Sequence, residues 1–420
     1  MINKVKGTYD ILPDDSIKWQ AMEEVIDSVS KLFNFKEIRT PIFEYSKLFH
    51  RGVGETTDIV KKETYDFIDR GHRSITLRPE GTASIVRSVI ENKLYASANQ
   101  PLKLYYNGPM FRYERPQKGR YRQFHQFGAE AIGSNSPLID AEIINYAVTF
   151  LKMLKINDIK VKINSLGDNE SKSLYKEKLR EYLKPNVKYL CDDCQRRYIE
   201  NPLRVLDCKV DKFNSVLIEA PKPLDFLSFE DKEHFDKVIQ ALDAVGLNYE
   251  IDKSLVRGLD YYTHTVFEVE AILETLGAQS TLAGGGRYNN LVESLGGPSV
   301  PAVGFAFGIE RLILAMDSIE TKKEKSFIHC FMIALGEEVQ IDALSIINDL
   351  RLKGLTVDYD FFNKNLKGKF KQADRLNAKF LLIYGSTEQS QKIINVKNNK
   401  TKEQVKVPVS QVYQYIKDNL

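Results

Sequence analysis

The sequence predicts an α+β domain that is built on an antiparallel sheet, is interrupted by a helical insertion and is followed by a small α/β domain. A length of 420 residues exceeds what one hydrophobic core supports, so two or three domains are expected. Short extended stretches separated by Gly, Asn and Pro dominate residues 37–133 and return at 264–307, which favours the sheet. Residues 169–248 are charged and mostly helical in pattern, and strands alternate with helices after residue 326.

The composition is that of an ordinary globular protein, with 43% hydrophobic and 28% charged residues. The sequence lacks a run of about 18 apolar residues, so no membrane span is expected. The stretch MINKVKGTYDILPDD has no apolar signal core, which predicts a cytoplasmic protein. Residues 321–420 contain 17 Lys and Arg against 11 Asp and Glu, a net charge of +6, whereas the first 320 residues carry −3. This basic tail suits either polyanion binding or a solvated lysine-rich surface, and charge alone favours the second.

Two amphipathic helices frame the first group of strands. Residues 17–33 and 138–154 repeat apolar side chains at helical spacing, and Asp14, Asp15 or Ser16 would cap the first helix. Between them, EIRTPIFEY, YDFIDRGHRSITLRPE, LKLYYNGPMFRYE and RQFHQFGAEAIG predict an antiparallel sheet with a hairpin turn at DRG. The expected apolar faces contain Met22, Val25, Ile26, Val29, Leu32 and Phe33 in the first helix and Ile139, Ile143, Ile144, Ala147, Leu151 and Leu154 in the second.

The helical insertion contains a pair of cysteines in the sequence CDDC. Cys191 and Cys194 have the spacing of a zinc ligand pair, and Cys208 and His234 follow further along. Structural zinc sites usually need a second close pair of ligands, which is missing here. Reduced thiols are therefore expected, and no metal is assigned to the protein cysteines. With four cysteines in 420 residues, a disulfide framework is not expected either.

Two segments are candidates for binding phosphate. Residues 111–122 (FRYERPQKGRYR) hold five cations and one anion, which predicts a hairpin with a basic tip. Arg112 is expected inside its first strand, where phosphate oxygens and an ion pair with Glu114 or another carboxylate explain it equally well. In residues 304–311 (GFAFGIER), glycines would let a ligand approach the backbone, and Arg311 lies in the first turn of the next helix. Tight packing also explains such glycines.

These two segments resemble motifs 2 and 3 of the class II aminoacyl-tRNA synthetases. FRYE at 111–114 and RYRQF at 120–124 are similar to the two ends of motif 2, near 104–133, and GFAFGIER lies in motif 3, near 302–316. RTPIFEYSKLF, near 39–49, resembles the dimer-forming motif 1. LVRGLDYYTHTVFE and AGGGRY resemble the two histidine-specific segments of the histidyl-tRNA synthetases, and TLRPEGT fits the same family. The resemblance covers nearly the whole chain, in the family's order.

The resemblance implies a class II catalytic domain at 1–320, a helical insertion at 169–248 within it, and an α/β anticodon-binding domain at 326–420. It implies a ligase that activates L-histidine with ATP to histidyl-adenylate and then transfers histidine to the 3′ end of tRNA(His). The implied partners are L-histidine, ATP, tRNA(His) and a second copy of the chain, bound through motif 1. Mg²⁺ would neutralise the pyrophosphate.

Activation of an amino acid sets the charge requirement of the site. A carboxylate attacks the α-phosphate of ATP, and negative charge builds on the phosphorus oxygens, so fixed cations are needed. The resemblance implies that Arg112 and Arg257 are catalytic and bind the α-phosphate, that Glu114 belongs to the ATP site, and that Arg311 lies near the γ-phosphate. Gly258 would let the chain turn tightly beside the substrate. The basic hairpin tip would contact tRNA through Arg115, Gln117, Lys118 and Arg120.

Recognition of a neutral imidazole needs a hydrogen-bond acceptor and a donor, because the ring has one of each. The resemblance assigns Glu130 and Tyr262 to the two ring nitrogens, and such polar recognition rejects near-isosteres by about 10⁴–10⁵. Tyr261 and Tyr262 would face opposite ways if extended, so Tyr261 is the one expected to pack in the core. By itself, Glu80 is equally explained as a carboxylate at a helix N-terminus. The implied histidine-binding set is Glu80, Gly81, Thr82, Gln126, Glu130, Tyr261, Tyr262 and Tyr288.

Two other functions fit the same fold. Non-catalytic histidine-sensing regulatory paralogues lack the anticodon domain and ATP-binding residues, both of which this sequence contains. A domain that detects uncharged tRNA within a signalling protein is disfavoured, because no HRD or DFG kinase signature is present. One departure from the family is Asn289, after GGRY, where members often carry an acidic residue. A charge-dependent role at that position stays open.

Overall fold

The computed structural model describes residues 1–54, 57, 59–208, 210–273, 280–319, 327–362 and 364–420. The chain divides into two compact units, Met1–Thr321 and Lys322–Leu420, and each has a hydrophobic core of its own. The predicted α+β class is confirmed, since helices and sheets fill both units. Within the described ranges, no helix combines the length and the apolar character needed to cross a membrane.

The described part of the first unit is built on an eight-stranded sheet. The strands of this unit are β1 (Lys36–Glu37), β2 (Phe43–Tyr45), β3 (Tyr65–Ile68), β4 (Ser74–Leu77), β5 (Leu102–Phe111), β6 (Gln123–Ile132), β7 (Ile159–Ser165), β8 (Glu250–Ile251), β9 (Thr263–Ala271), β10 (Thr281–Arg287) and β11 (Ala302–Gly308). The large sheet has the order β1-β5-β6-β11-β10-β9-β7-β8. Neighbours from β5 to β7 are antiparallel, and the two edge strands run parallel to their partners. This order brings segments far apart in sequence, β6 and β9 to β11, side by side.

Helices cover this sheet and carry much of the core. They are α1 (Pro13–Leu32), α2 (Ser46–Val53), α3 (Thr82–Glu91), α4 (Pro137–Met153), α5 (Asn169–Leu183), α6 (Asp192–Glu200), α7 (Ser215–Ile218), α8 (Phe229–Ala244), α9 (Leu291–Ser294) and α10 (Ile309–Ile319). The predicted caps of the first helix are wrong, because Leu12 is the N-cap and Pro13 already occupies the first turn. Proline at that position has no amide hydrogen to satisfy and a helical φ.

The apolar faces of α1 and α4 follow the predicted helical periodicity. All six apolar positions predicted for the second helix are buried at or next to α4. In α1, Met22, Ile26 and Val29 are buried, but Leu32, at the last residue of the helix, is 71% exposed. The helical period therefore identified the packed face correctly and failed only at the helix end.

A separate three-stranded antiparallel sheet has the order β2-β4-β3. The predicted DRG hairpin is confirmed, since β3 and β4 pair on either side of it. The prediction that the four stretches join one antiparallel sheet is partly wrong. The last two form β5 and β6 of the large sheet, whereas β2, β3 and β4 form this separate sheet. From EIRTPIFEY only β1 reaches the large sheet, as a parallel edge strand. The small sheet leaves several large apolar side chains exposed, namely Phe43, Tyr45, Phe67 and Ile68.

The helical part of the first unit that runs from α5 to α8 has two packing partners. Tyr175, Leu179, Leu190 and other residues of α5 and the segments after it form a small core of their own. By contrast, α8 packs its apolar residues into the main core of the unit. The insertion is thus anchored to the sheet by one helix and builds a local core with the others.

The second unit contains a five-stranded sheet in the described residues, with the order β13-β12-β14-β15-β16. Three of its strands are parallel neighbours and the last two add antiparallel pairs, so the predicted α/β fold of the tail is confirmed. Its strands and helices are β12 (Cys330–Leu335), α11 (Gln340–Leu352), β13 (Val357–Tyr359), α12 (Leu366–Arg375), β14 (Phe380–Gly385), α13 (Ser386–Gln391), β15 (Ile393–Asn398), β16 (Gln404–Pro408) and α14 (Val412–Asp418).

Candidate active site

A cleft of about 530 Å³ lies over β6, β10 and β11 in the first unit. It brings together residues from each chemical motif that the sequence indicated. Those that line it are Glu80, Thr82, Arg112, Glu114, Arg120, Gln126, Glu130, Arg257, Tyr261, Tyr262, Tyr288 and Arg311. The remaining predicted site residues, Gly81, Arg115, Gln117 and Lys118, do not line the cleft.

Arg112 lies just beyond β5 rather than inside it, since the strand ends at Phe111. Its Nε donates to the carbonyl oxygen of Pro79 at 2.9 Å, and its guanidinium lies over the ring of Phe124, 5.2 Å from the centroid. The Arg112 Nη1 is 3.7 Å from a carboxylate oxygen of Glu114. That separation exceeds a hydrogen bond, so the ion pair leaves donor capacity for a phosphate.

Arg311 belongs to a group of cations that destabilise one another. Its Nη1 donates to the carbonyl oxygen of Thr281 at 2.9 Å. Burial lowers the pKa of Arg311, and the charges of three other arginines lining the cleft lower it further. These three are Arg120, Arg112 and Arg257. Such mutual repulsion is relieved by a polyanion, which makes this part of the cleft complementary to a polyphosphate.

Arg257 lies in the segment before β9 and is ion-paired with Glu268 in β9. Burial alone would lower the pKa of Arg257, but the charge of Glu268 helps to raise it above the ordinary value, so the guanidinium is cationic. A Cβ at Gly284, in β10, would overlap this guanidinium. The glycine-rich sequence AGGGRY therefore includes a residue that must be small to make room for Arg257.

Contacts within the protein give no reason for glycine at position 258. Its φ is not in the left-handed region, and a Cβ there would meet nothing closer than the Asp207 Oδ2, at 3.8 Å. An alanine would fit by these criteria, so neither a tight turn nor a local clash requires glycine here.

Glu130 lines the cleft and is 1% exposed. The Tyr288 hydroxyl donates to its Oε2, and the Thr82 Oγ1 donates to its Oε1 at 2.7 Å. Burial raises the pKa of Glu130 to about 8, against these two hydrogen bonds and with a further contribution from Glu80. A Cβ at Gly304 would overlap the carboxyl group. The free protein thus holds a protonated carboxyl at neutral pH in a site shaped around it.

Glu80 and Gln126 lie next to this carboxyl. Glu80 accepts hydrogen bonds from the backbone N–H of Thr82 at 2.9 Å and of Ala83 at 2.7 Å, so its placement at a helix N-terminus is confirmed. Burial nonetheless raises its pKa. The Gln126 Oε1 is buried and has no hydrogen-bond partner among the described residues. This acceptor is available to a hydrogen-bond donor of a bound ligand, because Gln126 also lines the cleft.

The tyrosine pair departs from the prediction. Tyr261 and Tyr262 both line the cleft, with ring centroids 4.7 Å apart. The assumption of an extended segment fails because β9 begins only at Thr263. The carbonyl oxygens of Asp260 and Tyr262 accept hydrogen bonds from the Lys172 Nζ at 2.9 and 2.6 Å. The insertion helix α5 therefore fixes the backbone that presents both phenols.

The basic hairpin tip divides into an exposed part and a cleft part. Arg115, Gln117 and Lys118 are exposed. Arg120 is half-buried, and its Nη1 donates to the Glu114 Oε2 at 3.2 Å. The prediction treated the four tip residues alike, whereas the structure turns Arg120 into the cleft.

Two residues of the site were missed from the sequence. Glu310 is 6% exposed, lines the cleft, and accepts hydrogen bonds from the backbone N–H of His125 at 2.9 and 3.1 Å. Glu310 precedes Arg311 in GFAFGIER, and this position could have identified it as a site residue from the sequence. Lys172 is half-buried, and burial lowers its pKa to about 8. One lysine in a charged helix gave no signal that it would hold the backbone of the tyrosine pair.

Asn289, the departure from the family pattern, serves as an uncharged acceptor. Its Oδ1 accepts a hydrogen bond from the Arg287 Nη1 at 3.3 Å. Arg287 is fully buried and forms its ion pair with Asp140, with a 2.8 Å separation. The charge of Arg287 is therefore compensated elsewhere, and an amide suffices at position 289.

Comparison with known proteins agrees with this arrangement. Residues 7–312 match the family model described as histidyl-tRNA synthetase, and residues 329–419 match that of the anticodon binding domain. The chain is 50% identical to the histidine–tRNA ligases of Bacillus licheniformis and Bacillus subtilis, over 418 and 419 residues that cover 99% of this chain and 99% of each relative. It is similar to the apo histidyl-tRNA synthetase structure from S. aureus, with a TM-score of 0.85, 42% identity, and coverage of 99% of this chain and 100% of that one.

Proposed function

The chain belongs to the histidyl-tRNA synthetase family, and we propose that the cleft over β6, β10 and β11 is where it joins histidine to ATP. The enzyme activates L-histidine with ATP and transfers it to the 3′ end of tRNA(His). In the first step a carboxylate oxygen of histidine attacks the α-phosphorus, and the bond to the bridging oxygen of pyrophosphate breaks. In the second step a hydroxyl of the terminal ribose attacks the carbonyl carbon, and AMP leaves.

The observation that carries the assignment of the site is the charge pattern of the cleft. The cleft is lined by Arg311 and by three arginines whose charges lower its pKa, and also by the buried carboxyl group of Glu130. A bound polyphosphate would neutralise the repulsion among the arginines. A ring with one hydrogen-bond donor and one acceptor would pair with the carboxyl group of Glu130. ATP supplies such a polyphosphate, and the imidazole of histidine is such a ring.

The cations stabilise the charge that develops during adenylation. Arg112 and Arg257 bind the α-phosphate, where negative charge accumulates on the oxygens in the transition state. Arg311 binds near the γ-phosphate, and Glu114 completes the ATP site and orients Arg112. The support is that all four residues line one cleft and that Arg112 retains unused donors at 3.7 Å from Glu114.

The histidine pocket forms a hydrogen bond with each of the two imidazole nitrogens. Glu130 contacts one and the Tyr262 hydroxyl the other, while Tyr261 and Tyr288 form the walls. Glu80, Thr82 and Gln126 hold the α-amino group, which fits the buried Gln126 Oε1 that has no partner in the described residues. Gly81 acts by its small size, since a Cβ there would overlap the ring of Tyr106.

Mg²⁺ is proposed to enter with ATP. Carboxylate oxygens suit this ion, which binds proteins through one or two carboxylates together with substrate phosphates, and the carboxylates of Glu114 and Glu310 line the cleft. When bound, it neutralises charge on the leaving pyrophosphate. The arginines perform the corresponding task at the α-phosphate.

Binding of tRNA(His) is proposed to use both units. Arg115, Gln117 and Lys118 are exposed at the hairpin tip and contact the acceptor end, with Arg120 at the cleft entrance. The second unit matches the anticodon binding domain, and its basic surface contacts the anticodon stem. The proposed domain limits are 1–320 for catalysis, 169–248 for the insertion and 326–420 for anticodon binding.

A homodimer through the motif 1 region is proposed as the working form, in the cytoplasm. Its support is the small sheet, where Phe43, Tyr45, Phe67 and Ile68 are each at least 45% exposed. Large apolar side chains clustered on one exposed sheet are typical of an interface.

Pyrophosphate exchange tests the proposed chemistry. We expect labelled pyrophosphate to exchange into ATP with histidine and without tRNA, and not with other amino acids. Arg257→Ala should lower the exchange rate at least about 100-fold while the KM for histidine changes less, because the lost interaction stabilises the transition state. Lys237→Ala is the control, since Lys237 is exposed and pairs with Glu233 on the surface of α8.

Two outcomes would contradict the proposal. A near-native exchange rate in Arg257→Ala, with only a raised KM for histidine, would exclude the α-phosphate role. Absence of exchange in the unmodified enzyme, with histidine still bound in calorimetry, would favour the regulatory alternative.

A further inference from the structure

Three cysteines and an aspartate of the insertion converge in a cluster that the function above does not use. The Cys191 Sγ lies 3.7 Å from the Cys208 Sγ, and the Cys208 Sγ lies 3.7 Å from the Asp211 Oδ2. With Cys194 included, the four ligand atoms lie within 4.8 Å of one another. In the described part of the chain, no other group of three or more His, Cys, Asp or Glu residues has this arrangement.

The spacing of these residues is that of two ligand pairs. Cys191 and Cys194 are three positions apart, and so are Cys208 and Asp211. No metal was expected because the sequence has no second close pair of cysteine or histidine residues. Carboxylate oxygen is also a zinc ligand, and with Asp211 included the second pair is present.

Two of the distances between ligand atoms in this cluster fit a tetrahedral zinc ion. With Zn–S bonds of about 2.3 Å, two sulfurs at tetrahedral positions lie about 3.8 Å apart, and a sulfur and a carboxylate oxygen lie about 3.6 Å apart. The observed 3.7 Å between Cys191 and Cys208, and 3.7 Å between Cys208 and Asp211, agree with both values. These two pairs are thus already at the distances that coordination requires, and all four ligand atoms lie within 4.8 Å of one another.

The surrounding backbone supports thiolate ligands. Cys191 is the N-cap of α6, and Cys194 lies in its first turn, where the helix dipole favours negative charge. The backbone N–H of Asp211 donates to the Cys208 Sγ at 3.4 Å, and the Asp211 Oδ2 accepts from the backbone N–H of Cys191 at 3.0 Å. These bonds orient the ligands, as the outer-shell hydrogen bonds of metal sites do.

We propose that Cys191, Cys194, Cys208 and Asp211 bind one Zn²⁺ as a structural site. Four protein ligands close the coordination sphere, which is typical of structural rather than catalytic zinc. Cys194 and Cys208 are at most 5% exposed and Asp211 is 8% exposed, so three of the four ligands are buried, whereas Cys191 is half-buried.

The metal would fix one wall of the active-site cleft. Cys191 and Cys208 line the cleft, together with Asp193, Arg204 and Asp207 from the same segment. This segment consists of a short helix, turns and loops around a small local core. A metal that joins its two ends would hold these side chains beside the ATP site.

Metal analysis of the full-length enzyme tests the proposal. The enzyme would be purified without chelator under anaerobic, reducing conditions, and zinc measured by mass spectrometry of the digested protein. We expect about one zinc per chain. Cys194→Ser and Asp211→Asn should lower the zinc content at least about tenfold, whereas Cys330→Ser, in the second unit, should leave it unchanged because Cys330 is buried in a different core.

A second measurement keeps the test decisive if a variant folds poorly. Zinc would be removed from the unmodified enzyme with a chelator and replaced by Co²⁺, which should give the intense visible absorption of tetrahedral thiolate coordination. Addition of Zn²⁺ should also protect three thiols per chain from a thiol reagent, in line with the three cysteine ligands. A zinc content near zero, or a disulfide between Cys191 and Cys208 in the reduced preparation, would overturn the proposal. So would Co²⁺ absorption that Cys194→Ser retains.

Discussion

At the scale of single residues, the site is built by burying charge beside small residues. Gly284 and Gly304 leave the space that the guanidinium of Arg257 and the carboxyl of Glu130 occupy. Arg257 stays charged although it is buried, and the charge of Glu268 helps to raise its pKa, whereas burial raises the pKa of Glu130 and favours its neutral form. Burial disfavours the charged form of both groups, and Arg257 has an oppositely charged partner that offsets this effect.

Glu130 makes histidine binding depend on pH in a predictable direction. Its raised pKa of about 8 means that the free enzyme carries a proton there at pH 7. We expect the complex to hold one proton shared between this carboxyl and the imidazole, because a net negative charge is costly in a buried pocket. Above pH 8 the free enzyme has lost that proton and must take one up to bind, so the affinity should fall about tenfold per pH unit.

The measurement is the histidine dissociation constant of the unmodified enzyme and of Glu130→Gln across this pH range, by calorimetry. Titration of histidine itself affects both proteins alike and cancels in the ratio of their affinities. That ratio should be constant below pH 8 and decline above it. A ratio that does not vary with pH would exclude Glu130 as the titrating group.

At the scale of secondary structure elements, the insertion helps to shape the substrate pocket. Helix α5 places Lys172 against the carbonyl oxygens of Asp260 and Tyr262, just before β9. These bonds hold a non-strand segment in the conformation that turns both Tyr261 and Tyr262 towards the cleft. A charged helix that looked peripheral in sequence therefore determines the shape of the substrate pocket.

Replacement of Lys172 by methionine tests this role. The loss of two charge-assisted hydrogen bonds should raise the KM for histidine by at least about tenfold, with a smaller change in kcat. Lys178→Met is the matched control, because Lys178 lies in the same helix, is exposed and pairs only with Glu181 among the described residues. The measurement is histidine-dependent pyrophosphate exchange. An unchanged KM in Lys172→Met, accompanied only by a lower melting temperature, would show that the lysine is structural alone.

The sequence predicted elements better than it predicted their partners. Helical periodicity located α1 and α4 and their buried faces, because packing follows a local period of 3.6 residues. It did not show that β2, β3 and β4 leave the main sheet, since strand pairing depends on distant residues. For the same reason Asp211 was missed beside the cysteines, and Lys172 beside the tyrosines. Most of the predicted site residues line one cleft, but their hydrogen bonds and protonation required the fold.

At the scale of the whole molecule, charge is divided between the two units. The last 100 residues carry a net charge of +6 and the first 320 carry −3. In α12, Lys367, Lys371 and Arg375 are exposed and recur every four residues, which places them on one face of the helix. Lys369, in the same helix, is instead buried and donates to the carbonyl oxygen of Ala334 at 2.7 Å. Of these four basic residues of α12, three are therefore exposed and can bind a polyanion, and one stabilises the fold.

Reversal of these three charges should weaken tRNA binding without affecting histidine activation. The variant Lys367→Glu/Lys371→Glu/Arg375→Glu should lose affinity for tRNA(His), and its slope of log K against log salt should be shallower by roughly 2 to 3, because three phosphate contacts are lost. Pyrophosphate exchange should remain near native, since the reaction site lies in the first unit. The control is Lys400→Glu/Lys402→Glu/Lys406→Glu, which changes the net charge equally at exposed positions around the β15–β16 hairpin. Equal losses of affinity in both variants would mean that the tail acts through its overall charge, whereas a loss confined to the α12 variant would identify this helix face as the part that contacts tRNA.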